Sequence, residues 1–162
     1  MDKRLKTLAD KLLAEARARQ LTYFTAESCS LGKLAAALAT GEGASTHVLG
    51  GVVAYTKQAK THLLDVEPEI LRKETAVCAA VAEKMATGAL RISGATATAA
   101  ITGVAGPAPD EDGNPVGLVF CAAATADVVR HRRLDLAGYA PEGVIDEACL
   151  AALQLMLEIL RA

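Results

Sequence analysis

The chain has 162 residues, with 17 Lys and Arg against 19 Asp and Glu for a net charge of −2; 52% of it is hydrophobic, 22% charged and only 3% aromatic, with no Trp. Such a chain is too apolar to stay disordered and long enough to bury about 70% of its unfolded surface in one core. It also lacks the positive field that supplies most non-specific nucleic-acid affinity.

With so few aromatics, the core must be built from Ala, Val, Leu and Ile, which favours closely approaching α/β or all-α layers. Cys29, Cys78, Cys121 and Cys149 are widely spaced, with no C-x-x-C pair and no His at zinc-ligand spacing, and so read as reduced thiols in a cytoplasmic protein free of structural metal. No apolar run approaches the roughly 18 residues of a membrane span, and Met1 to Leu5 leads into a charged segment rather than a signal peptide.

Leu5, Leu8, Ala9, Leu12, Leu13 and Ala16 recur at helical spacing between Lys and Arg residues, which predicts a first amphipathic helix. Leu21 to Ala26 reads as a short strand running into Glu27-Ser28-Cys29-Ser30, where a serine can cap a helix over Lys33 to Ala39. Gly41-Glu42-Gly43 breaks that helix, and Gly50 to Tyr55 reads as a buried strand. Thr56 caps a short helix holding Lys57, Lys60 and His62, and a turn follows at Glu67-Pro68. Cys78 to Ile92 is helical by pattern and ends at Gly94, and Ala95 to Thr102 is the third strand.

The stretch from Gly103 to Pro115 is too rich in Gly, Pro and Asp to be anything but a loop, and a loop this long is usually functional or disordered. Leu118 to Thr125 and Val128 to Leu136 form an expected antiparallel pair turning at Ala126-Asp127, and Pro141 opens a closing helix. The order α-β-α-β-α-α-β-β-β-α predicts one domain over 1–162, a layered α/β fold with a mixed, mostly parallel sheet flanked by helices.

Three segments begin at the carboxyl ends of predicted strands: Glu27 to Ser30, Tyr55 to Lys60, and Thr102 to Pro107. With parallel strands joined by helices, these ends lie along one sheet edge, where open α/β proteins place ligands. The first offers hydroxyls and a thiol at a helix N-terminus, which suits an anion or oxyanion, although Ser28 or Ser30 is equally natural as a simple cap. In the second, Lys60 alone reads as a solvated surface lysine, and the third reads either as an ordinary turn or as a close backbone approach. His47, His62 and His131 share no ligand spacing and read as surface or capping residues. There is no P-loop and no G-x-S-x-G elbow.

Together, Thr25 to Gly32, Gly50 to Lys60, and Thr102 to Pro107 with Asn114-Pro115-Val116-Gly117 resemble the signatures of the C-terminal domain of the competence/damage-inducible protein CinA, which also occurs alone as nicotinamide-nucleotide amidase. The likeness spans nearly the whole chain, which leaves no room for the N-terminal domain of larger CinA proteins. It implies a cytoplasmic, homo-oligomeric enzyme that hydrolyses the carboxamide of nicotinamide mononucleotide, giving nicotinate mononucleotide and ammonia in pyridine-nucleotide recycling. Neither metal nor cofactor is implied, and the partner is a small nucleotide rather than nucleic acid or membrane.

Ser28 matches the serine of the family's E-S-C-T-G-G motif, while Tyr55 and Lys60 match the Tyr and Lys after its second strand. Ser28 is then the nucleophile, Lys60 its base, and Tyr55 a proton relay or a holder of the lysine. Glu27, Ser30, Gly32, Cys78, Thr102, Gly103, Gly106 and Pro107 form the expected substrate-binding set, with N–H groups at the start of the Ser30 helix as oxyanion hole and the Gly103 to Pro107 loop over the ribose phosphate. The chain differs from the family pattern in having Ser30-Leu31 for Thr-Gly, Cys78 for Ser, and Gly138-Tyr139-Ala140 where the family has Gly-Asp-Arg. Two alternatives stand beside the Ser/Lys reading: Cys29 as nucleophile, and a divergent, catalytically weak or inactive homologue that acts as a nucleotide-binding or partner-binding module.

Overall fold

In the computed structural model, which describes residues 1–162, five strands form one sheet in the order β2-β1-β3-β4-β5. The strands are β1 (Tyr23–Glu27), β2 (Val48–Val53), β3 (Ala97–Gly103), β4 (Leu118–Ala124) and β5 (Val129–Asp135). β1 pairs in parallel with both β2 and β3, while β4 and β5 extend the sheet in antiparallel fashion. The carboxyl ends of β1, β2 and β3 therefore share one edge.

One face of the sheet is covered by α1 (Lys3–Arg19), α2 (Lys33–Leu38) and α7 (Pro141–Leu160), and the other by α6 (Ala79–Ser93) with α4 (Lys57–Leu64) and α5 (Pro68–Lys73) beside it. A single-turn helix, α3 (Ala44–His47), leads into β2. Asp2 caps α1 by accepting from the Arg4 N–H at 2.8 Å, and Leu5, Ala9, Leu12, Leu13 and Ala16 are its buried stripe. No helix is long and apolar enough to cross a membrane.

The sheet is lined with small residues on both faces. Ala97, Ala99, Ala100, Ala122, Ala123 and Ala124 are fully buried, as the aromatic-poor composition requires. At Gly88 of α6 an added Cβ would come within 2.3 Å of the Leu64 carbonyl oxygen, so the absence of a side chain lets α6 press directly on the end of α4. That contact fixes the helix carrying Lys60.

Several expectations need correction. α3 and α5 are too short to produce a periodic pattern and were not anticipated. β2 begins and ends two residues before its expected limits, which puts Ala54 and Tyr55 in the connection to α4. It is also a half-exposed edge strand rather than a buried one, with Leu49 and Val53 exposed. The opposite edge, β5, reads Val-Arg-His-Arg-Arg-Leu-Asp, and charged residues protect it from strand addition. His47 is not at the surface: it is buried, with Nδ1 2.8 Å from the Leu21 carbonyl. His131 is exposed beside Glu83.

Candidate active site

β1 ends at Glu27, and the chain then turns sharply through 28–32 before α2 begins at Lys33. The turn is wrapped around the Glu27 carboxyl group, which is almost fully buried. Its Oε2 accepts from Ser30 Oγ at 2.7 Å and from the N–H groups of Gly32 and Leu34, each at 3.0 Å. Its Oε1 accepts from the Ala35 N–H at 2.8 Å and from Thr25 Oγ1 at 3.1 Å.

Glu27, Ser30 and Gly32 therefore sit behind the pocket and build the turn rather than line it. The N-terminus of α2 is also taken: its N–H groups serve Glu27, so they are not the oxyanion donors the sequence suggested. Within the same turn, the N–H groups of Cys29 and Ser30 have no acceptor in the fold. Leu31 adopts a left-handed conformation with φ 49° and lies exposed on the pocket wall. The residue standing where the family pattern has Gly thus keeps the backbone shape that glycine favours.

Across the sheet edge, Thr56 caps α4 by accepting from the Ala59 N–H at 3.0 Å. One turn later Lys60 points back under the connection to β2 and is only 2% exposed. Its Nζ lies 2.9 Å from Ser28 Oγ, 3.1 Å from the Ala54 carbonyl and 3.2 Å from the Tyr55 carbonyl. Ser28 Oγ is itself 3.4 Å from the Tyr55 carbonyl. The structure thus brings Ser28 and Lys60 together from 32 residues apart.

Burial disfavours the ammonium and lowers the Lys60 pKa from 10.5 to about 8, opposed by Glu111 and assisted by nearby Lys57. A neutral amine has two N–H bonds and one lone pair. With the two carbonyls taking the N–H groups, the lone pair faces the Ser28 hydroxyl. Tyr55 contributes its carbonyl to this arrangement, while its side chain is exposed on the pocket wall and makes no hydrogen bond to either group. Cys29 is buried and burial pushes its thiol up to about 12, so it holds its proton and is a poor nucleophile.

The pocket over this pair has a volume of about 680 Å³. Of the remaining expected residues, Thr102, Gly103 and Gly106 line it and Pro107 does not. Thr102 Oγ1 donates to the Ala76 carbonyl at 2.6 Å. Cys78 stands at the N-terminal boundary of α6, outside the lining, and makes no side-chain cap; its Sγ is 3.8 Å from the Thr75 carbonyl. The lining also includes Lys57, Asp110 and Glu111, which sequence reasoning missed. Lys57, three residues before Lys60 on the same helical face, and the acidic run 110–112 inside the long loop were the available signals. No group of three or more His, Cys, Asp or Glu converges on a metal site.

Residues 5–160 match the family model of the CinA C-terminal domain. A CinA-like protein of a Synechococcus species is 45% identical over 125 residues, 77% of this chain and 30% of that protein. One from Mycolicibacterium gilvum is 49% identical over 106 residues, 65% of this chain and 25% of that protein. The chain thus spans about a quarter to a third of the curated relatives it matches.

Among solved structures, a competence-damaged protein (CinA) superfamily protein from Escherichia coli superposes with TM-score 0.91 at 36% identity, covering 98% of this chain and 92% of that one. A competence/damage inducible protein from Agrobacterium tumefaciens gives 0.92 at 34% identity, covering 98% and 96%. With residues 5–160 matched by the family model and nearly the whole chain superposing on solved members at TM-scores of 0.91 and 0.92, the chain belongs to the CinA C-terminal domain family.

Proposed function

We propose that this domain is a nicotinamide-nucleotide amidase, converting nicotinamide mononucleotide to nicotinate mononucleotide and ammonia. The observation that carries the reading is the buried, pKa-lowered Lys60 amine 2.9 Å from the Ser28 hydroxyl at the floor of a nucleotide-sized pocket. Serine is a weak nucleophile until a neighbouring base takes its proton, and a desolvated lysine is such a base.

In the first half-reaction, Lys60 accepts the Ser28 proton as Oγ attacks the carboxamide carbon. The negative charge that develops on the carboxamide oxygen is met by the unpaired N–H groups of Cys29 and Ser30, the natural donors next to the nucleophile. The tetrahedral intermediate collapses as the Lys60 ammonium returns a proton to the leaving nitrogen, releasing ammonia and leaving an ester on Ser28. In the second half-reaction, Lys60 deprotonates water, which attacks the ester; the acid departs and Ser28 regains its proton. All protons pass through one amine, so no metal is required.

The test is ammonia release on incubation with nicotinamide mononucleotide. Turnover by the wild type that persists in Cys29→Ala supports the serine route, and turnover lost only in Cys29→Ala overturns it. Tight binding of the mononucleotide without turnover replaces the enzyme with a nucleotide-binding module. The location proposed is the cytoplasm. A homo-oligomer is supported by the uncharged, half-exposed edge strand β2, and sedimentation velocity of the wild type beside Leu49→Lys decides whether that edge is the interface.

A further inference from the structure

Two lysines face the pocket, and only one is used by the proposed chemistry. Lys60 is buried, its two N–H bonds go to the Ala54 and Tyr55 carbonyls and its lone pair faces Ser28. It is a base rather than an anchor for an anion. Lys57 lies one turn nearer the solvent on the same face of α4, with its side chain about one-third exposed. Its Nζ is 2.8 Å from Asp112 and 3.7 Å from Glu111.

Both carboxylates stand on the loop that follows β3, and that loop is held in shape locally. Asp110 Oδ1 accepts from the N–H groups of Asp112 and Asn114, and Asn114 Nδ2 donates to Asp110 Oδ2 and to Thr75 Oγ1. Asp110 and Glu111 also line the pocket, and no arginine does. A phosphorylated substrate therefore meets one cation able to bind it, and that cation is paired to a carboxylate of the chain. A phosphate, with greater charge and three acceptor oxygens, is a stronger partner for the ammonium than one carboxylate.

We propose that Lys57 is the anion-binding residue of this pocket, selecting a phosphorylated substrate over its dephosphorylated counterpart, and that Asp112 is an internal competitor which the substrate's phosphate displaces. The inference rests on the amidase reading above and adds the residue that recognises the phosphate. Both Lys57→Met and Asp112→Asn break the same ion pair, so a purely structural latch predicts that they act in the same direction. A recognition role predicts opposite directions.

The measurement is the ratio of kcat/KM for nicotinamide mononucleotide to that for nicotinamide riboside, which lacks the phosphate. The ratio falls about tenfold or more in Lys57→Met, the scale of one charge-assisted hydrogen bond, and rises in Asp112→Asn. Ratios that move together, or stay at the wild-type value, overturn the proposal. Calorimetric titration of both ligands into Ser28→Ala separates the two readings. Lys57-dependent binding of the mononucleotide without wild-type turnover keeps the anion site and removes the amidase. Turnover with Lys57-independent binding removes the anion site and keeps the amidase.

Discussion

Ser28→Ala and Lys60→Ala each lower kcat for ammonia release by about 10³-fold or more, because nucleophile and base act as one unit and either loss disables both. Their double variant is expected to be no worse than the singles. The pH profile of the wild type gives the sharper check. The active form has Lys60 neutral, and with its pKa lowered to about 8 about a tenth of the enzyme is in that form at pH 7. Activity therefore rises about tenfold per pH unit below 8 and levels off above it; a profile flat from pH 6 to 9 rules out Lys60 as the base.

The same lysine costs the fold stability, and that cost also depends on pH. In the unfolded chain it titrates near its ordinary 10.5, and in the folded chain near 8, so between those values the unfolded state binds more protons and stability rises with pH. Below pH 8 both states are protonated and the full cost of burying the ammonium, on the order of 3 kcal/mol, is present. Lys60→Met removes that cost but leaves the Ala54 carbonyl without a donor, while the Tyr55 carbonyl keeps the Ser28 hydroxyl at 3.4 Å. The variant is expected to be up to about 2 kcal/mol more stable at pH 7, the burial cost less about 1–3 kcal/mol for the orphaned carbonyl, and to lose the rise between pH 8 and 10, as measured by urea unfolding at several pH values. Greater stability in an inactive variant marks a site kept at the expense of the fold.

Periodicity and turn residues were enough to locate α1, α6, α7 and, to within two residues, all five strands, because each is long or flanked by turn residues. The meeting of three strand ends on one edge followed from parallel β-α-β connection alone. What escaped the sequence was burial. Lys60 has the same residue type and spacing whether it points into solvent or under the chain, and its direction depends on α6 pressing on α4 at Gly88. Glu27 was similarly misplaced by reasoning that assigned every polar residue of the turn to the ligand. A turn of five residues between a strand and a helix leaves N–H groups that need acceptors, and the carboxyl group two residues after Thr25 was the nearest one. The pairing of Lys57 with the loop 110–112 spans 55 residues and has no local signature.

Glu27→Gln is expected to be among the most damaging single changes outside the reacting pair, although it alters one atom and lies behind the pocket. The carboxyl group accepts five hydrogen bonds from Thr25, Ser30, Gly32, Leu34 and Ala35. An amide in its place presents an NH₂ to donors, so at least one buried N–H loses its acceptor and faces another donor. Each orphaned buried group costs about 1–3 kcal/mol. A loss of about 3 kcal/mol or more in urea unfolding is expected for Gln and also for Ala, which leaves all five donors unmet. An unchanged denaturation midpoint in Glu27→Gln removes Glu27 as the frame of the turn. Ser28 stands on that turn, so kcat falls with stability. The carboxyl group also occupies the N-terminus of α2, which would otherwise attract an anion, and the substrate's phosphate must therefore be held elsewhere. Glu27→Gln should accordingly lower turnover of the mononucleotide and the riboside in equal proportion, whereas Lys57→Met separates them.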